Sequence, residues 1–87
     1  MKVIMQPIEM IAWFKIEGTP RPVRCRLIKE DETAQVIKID HILSIERERR
    51  AGNPMIVYTC QSLIGNEQRV YELKYEIASC TWYLSKA

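Results

Sequence analysis

The chain has 87 residues, 47% hydrophobic and 28% charged, with a formal net charge of +2. That length makes a single small domain, which buries little more than ~60% of its unfolded surface and folds alone with little to spare. A charge so near zero announces no polyanionic partner, so any nucleic-acid contact has to come from local clustering.

The opening "MKVIMQPIEMIAWFKIEG" is apolar in part, but Gln6, Pro7 and Glu9 interrupt it and no small-residue cleavage site follows, so it does not read as a signal peptide. No apolar run reaches the ~18 residues of a membrane span. From Ile8 to Ile16 the apolar residues Ile8, Met10, Ala12, Phe14 and Ile16 alternate, with Ile11 and Trp13 opposite, which predicts a strand with both faces covered. "EGTPRP" breaks it. In the following strand, "VRCRL", Val23, Cys25 and Leu27 point inward and Arg24 and Arg26 outward.

After the charged turn "KEDET", "AQVIKIDHILSI" places Ile37, Ile39, Leu43 and Ile45 on one face. A long strand running out to a hairpin is the expectation here, because the preceding "VIKI" has period two and isoleucine favours strands. The alternative is a short helix within 40–51, capped by Asp40 and closed at Gly52, which would make the fold α+β. "RRAGNP" reads as a hairpin tip, with Gly52 and Asn53 at positive φ and Pro54 ending the pairing. "MIVYTCQS" returns, "IGNEQ" turns, and "RVYELKYEI" sets Tyr71, Leu73, Tyr75 and Ile77 against Val70, Glu72, Lys74 and Glu76. The final "TWYLSK" points Trp82 and Leu84 one way and Tyr83 the other. The expected fold is therefore all-β: about six antiparallel strands in a meander that closes into a small, SH3-like or similar barrel.

Two clusters carry charge. Arg21, Arg24 and Arg26 precede or line one outward strand face, to which Lys38 and Lys74 could add, with Tyr83 as a stacking platform for a single strand of nucleic acid. The plainer alternative is a wet strand face offset by Asp40, Glu72 and Glu76. In "ERERR", alternation puts Arg47 and Arg49 on one side of a hairpin that could touch phosphate or simply be solvated.

The cysteines Cys25, Cys60 and Cys80 are odd in number and unpaired by spacing, which speaks against a disulfide framework, a zinc knuckle or a redox motif. Cys25 and Cys60 fall in apolar registers, and His41, the single histidine, shares the register of Ile39 and Leu43 as a half-buried structural residue. No residue set fixes a nucleophile with its base, so a small Cys/His-dependent enzyme is the minor alternative; neither a cofactor nor a metal is expected. Trp13, Trp82, Tyr58, Tyr71 and Tyr75 are read as core rather than as the lining of a cavity.

The blocks "AWFKIEGTPRPVRCRL", "VIKIDHIL", "AGNPMIVYTCQS" and "YELKYEIASCTWYL" together resemble a group of small bacterial proteins, chiefly from Gram-positive anaerobes. The likeness runs from about Ile8 to Leu84 and sets residues 1–7 apart as an N-terminal extension to a single domain, 8–87. It implies a small bacterial cytoplasmic domain and transfers no catalytic or binding residue. The expectation is a non-enzymatic binding module that acts on a protein partner, on a second copy of itself through an apolar patch near Ile11 and Trp13, or on nucleic acid through Arg21, Arg24, Arg26, Arg47 and Arg49.

Overall fold

The computed structural model describes residues 1–87, the side chain of Arg50 excepted. Its elements are β1 (Val3–Trp13), β2 (Arg21–Ile28), β3 (Ala34–Lys38), β4 (His41–Arg50), β5 (Asn53–Ile64), β6 (Glu67–Glu76) and β7 (Thr81–Lys86). They form one antiparallel sheet in the order β3-β2-β1-β7-β6-β5-β4, curled into a half-barrel. The all-β expectation holds.

The order is that of a meander whose first and last strands pair. Every strand lies beside its neighbour in sequence except β3 and β4, which sit at opposite edges and are joined through Ile39 and Asp40. That corner explains the strand count: "AQVIKIDHILSI" is continuous in sequence, but it leaves β2 at Ile39 and takes up β5 at His41. Ser62 and Asp40 hold the bend. Ser62 Oγ donates to the Lys38 carbonyl at 2.7 Å, and an Asp40 carboxylate oxygen accepts the Leu63 N–H at 2.8 Å. Because the one Ser62 proton goes to Lys38, the Tyr71 hydroxyl, 2.6 Å away, is the donor to Ser62 Oγ.

The helical alternative within 40–51 is overturned. Residues 44–50 pair without interruption to β5, from Ser44↔Thr59 to Arg50↔Asn53. The β-branched residues and the partner strand outweigh the helix-like spacing of Ile42, Ile45 and Arg49.

Inward registers supply the core: Cys25, Ile37, Ile39, Ile56, Tyr58, Cys60, Tyr71, Leu73, Tyr75, Trp82 and Leu84. Trp82 sits between Tyr58 and Tyr75, with ring centroids 5.4 and 4.7 Å away. Four differences from the sequence reading concern strand bounds and register. The first strand begins at Val3 and ends at Trp13, so Phe14 and Ile16 lie outside it and are exposed. Residues 3–7, set apart as an extension, pair with β7 through Val3↔Lys86, Gln6↔Leu84 and Pro7↔Tyr83. A bulge opposite Ile11 and Ala12 leaves Val23 without a partner on β1 and exposed, with Pro22 buried in its stead. A second bulge, between Ile42 and Ser44, turns Leu43 out to solvent; His41 is exposed as well.

Both two-residue hairpins use the backbone their length demands. Ala51 (φ 51°) and Gly52 (φ 80°) carry the turn between β4 and β5, so the positive φ angles fall one residue earlier than read and Pro54 is already paired with Arg49. Gly65, at φ 62°, opens the turn between β5 and β6. Among the described residues no helix is long and apolar enough to cross a membrane.

Candidate binding face

The outer surface of β1, β2 and β3 is built from cross-strand rungs. Trp13 lies opposite Arg21; Ile11 opposite Arg24, which in turn faces Lys38; and Glu9 opposite Arg26, which faces Val36. Pleating sends all of these side chains away from the core, and all are exposed. Ile11, Trp13 and Val36 are 64%, 69% and 57% exposed, large values for side chains of this size. An open groove of about 400 Å³ runs over the rungs, lined by Glu9, Ile11, Arg24, Arg26 and Val36.

The electrostatics are one-sided. Four cations, Arg21, Arg24, Arg26 and Lys38, face one carboxylate, Glu9. Arg26 Nε bonds Glu9 Oε1 at 2.5 Å, and this partner holds the Glu9 carboxyl below its ordinary range. Arg21, Arg24 and Lys38 have no ion-pair partner among the described residues. The acids expected to offset the face are occupied elsewhere: Asp40 at the Leu63 N–H, Glu72 at Ser85 Oγ (2.8 Å), and Glu76 at Asn53 (2.7 Å) and Ser79.

Sequence reasoning therefore placed Arg24, Arg26, Arg21 and Lys38 together and misplaced Lys74 and Tyr83. Lys74 is buried on the outside of β6, where its Nζ bonds Glu48 at 3.0 Å. Tyr83 lies opposite Pro7 and Lys74 on another part of the sheet and is only half-exposed. Trp13, read both as core and as part of an outward patch with Ile11, is the aromatic residue of the face. Its signal was present: Trp13 falls with Ile11 on the face opposite Ile8, Met10 and Ala12, and covering a strand on both sides needs a second layer that this short chain lacks.

Arg47 and Arg49 stand apart from these rungs. They share the register of Tyr58 and Ile56 on β4, but β4 is the sheet edge, so their side chains reach past the rim of the core. Arg47 lies close enough to the buried Tyr58 hydroxyl to favour its ionised form, and that hydroxyl donates to the Pro20 carbonyl just before Arg21. Arg49 lies farther along, opposite Pro54.

The thiols divide by environment. Burial pushes Cys25 up to about 11 and Cys60 up to about 12, so both are protonated at neutral pH and are poor nucleophiles. His41 is exposed beside Cys60 in register terms but on the opposite face of the sheet. Cys80 is exposed in the turn before β7, at φ 57°. Compared with known protein families, with curated proteins and with solved structures, the chain finds no match.

Proposed function

We propose that the protein is a non-enzymatic binding module whose β1–β2–β3 face takes single-stranded nucleic acid. The observation that carries this is the set of rungs: three cations without ion-pair partners among the described residues, Arg21, Arg24 and Lys38, on one outer face with exposed Trp13, Ile11 and Val36, of which Ile11, Arg24 and Val36 line an open groove. Cations spaced along a sheet face follow a phosphate backbone, and an aromatic at the end of the face offers a surface on which a base can stack. A strand pair fixes these groups without a loop having to order, which keeps the entropic cost of binding low.

Fluorescence anisotropy with labelled oligothymidine tests the proposal. With about three or four phosphates contacted, log K should fall against log salt with a slope of about −2 to −3. An Arg24→Glu/Arg26→Glu variant with an unchanged circular dichroism spectrum should lose measurable binding. Absence of binding at low salt, or binding indifferent to the double substitution, would contradict the proposal. The exposed Ile11, Trp13 and Val36 favour one competing occupant, a second copy of the chain. A mass that doubles with concentration in sedimentation, and reverts in Trp13→Ser, would support that alternative.

A further inference from the structure

The three arginines of β2 stand on successive rungs of the outer face: Arg26 opposite Glu9, Arg24 opposite Ile11 and Arg21 opposite Trp13. Simple alternation would not put them there, because Arg21 comes three positions before Arg24 and would turn toward the core. The bulge corrects the parity. It takes up Val23, so that Pro22 is buried and Arg21 comes out in line with Arg24 and Arg26. The bulged residue is held from the side of β3, where the Ile39 N–H donates to the Val23 carbonyl at 3.0 Å. On β1 the facing residues Glu9, Ile11 and Trp13 are two apart, so the rungs follow one another at about 6–7 Å.

That step is also the spacing of successive phosphates along an extended nucleic-acid strand, so three guanidiniums in a straight file match three neighbouring phosphates. The rungs are not equal. Arg24 faces a second cation, Lys38 on β3, whereas Arg26 faces Val36 there and is bonded to Glu9, and Arg21 lies beyond the end of β3. The middle rung therefore carries two positive charges, neither with an ion-pair partner among the described residues. Like charges facing each other across a strand pair are unfavourable, and an anion seated between them relieves the repulsion. The Arg21 rung sets the exposed Trp13 indole beside a single cation.

We infer that this face, on the reading of it as a nucleic-acid site, takes three consecutive phosphates of an extended strand, one per rung, with the middle phosphate between Arg24 and Lys38 and the base beside the Arg21 phosphate stacked on Trp13. The footprint is a tetranucleotide, the shortest strand with three internucleotide phosphates. Arg26 reaches its phosphate by leaving Glu9, an exposed partner that holds it weakly. The middle rung contributes most to affinity, because two cations share one phosphate there.

Thymidine oligomers of two to twelve residues, followed by amide shifts at low salt, measure the footprint. The dissociation constant should fall about tenfold or more from the dimer, with one phosphate, to the tetramer, with three, since each phosphate gained is a charge-assisted contact. From the tetramer to the octamer it should fall only about fivefold, the gain from five equivalent registers on a site of this length. Three further tetramers each carry one uncharged methylphosphonate linkage. The loss of affinity should be greatest for the middle linkage, and Lys38→Gln should even out the three. A dissociation constant that keeps falling steeply past the tetramer would overturn the three-phosphate file while leaving the face a nucleic-acid site. So would equal losses from the three linkages in the unaltered protein, or the greatest loss at an end. No binding of the dodecamer at low salt would overturn both the file and the reading on which it rests.

Discussion

Glu9 is the one acid among the outward rungs of β1–β3, and it is spent on Arg26. Exposed pairs of this kind add little to stability, so its weight falls on binding. Glu9→Gln should leave the melting temperature within a degree or two and raise oligothymidine affinity about two- to fivefold, with a salt slope steeper by up to ~0.7 for one cation released. Weaker binding in this variant would mean that anions do not approach Arg26. The buried thiols give a second residue-level outcome. Cys25 and Cys60 are raised in the folded chain, to about 11 and about 12, above the value of 9.0 for a free thiol. The buried Tyr58 phenol is likewise pushed up to about 12. The unfolded chain therefore sheds these protons first, so stability is intact below about pH 9 and falls as pH rises from there toward 11 or 12. Urea midpoints should be lower at about pH 10.5 than at about pH 8, and at the lower pH a thiol reagent should add once, at Cys80. Rapid addition to all three cysteines in the native state would refute the assignment of Cys25 and Cys60 to the core. At this scale period two was enough to turn Arg24 and Arg26 outward and Cys25 and Cys60 inward. It could not place Lys74, which the pattern sets on a wet face but which reaches Glu48 across buried Met55 and Val57. That depends on which strand lies two places away in the sheet, a fact of topology rather than of local pattern.

At the scale of elements, the corner between β3 and β4 matters most, because it is where one continuous apolar pattern changes partner strand. Ser62 binds the Lys38 carbonyl and accepts from the Tyr71 hydroxyl, and it has no solvent exposure. Ser62→Ala leaves a buried phenol without an acceptor and frees the bend; urea denaturation should show a loss of about 1–3 kcal/mol. A change within ~0.5 kcal/mol would mean that the bend is held by backbone pairing alone. The bend was hidden in the sequence. "VIKIDHIL" has neither glycine nor proline, the usual marks of a break, and Asp40 achieves it through a side-chain bond to Leu63, twenty-three residues on. Turns marked by glycine were legible to within a residue. The bulges at Val23 and Leu43 were not, since one extra residue in a strand leaves the composition unchanged while reversing which side chains face water.

For the whole molecule, closure between the first and last strands holds the two halves together. The N-terminal half of β1 pairs with β7 and its C-terminal half with β2, so β1 ties the three-stranded β1–β2–β3 face to the rest of the sheet. Lys2 and Ala87 exchange both backbone hydrogen bonds at 2.7 and 3.0 Å, completing the ladder. A chain starting at Ile8 should therefore be unfolded or lose most of its stability, read as a collapsed or absent thermal transition, because its strands β7 and β1 would be left as long unpaired edges. A fully stable truncated form would show that residues 1–7 are dispensable, as the extent of the resemblance implied. The central proposal concerns what the curled sheet presents: an outer β1–β2–β3 surface proposed to take single-stranded nucleic acid. The direct measurement is an amide and indole ¹H–¹⁵N spectrum of the labelled protein titrated with oligothymidine. The account predicts shifts at Ile11, Arg24, Arg26, Val36 and Lys38 and at the Trp13 indole N–H, with β5 and β6 unmoved. Shifts confined to β4, or none at all at low salt, would contradict it.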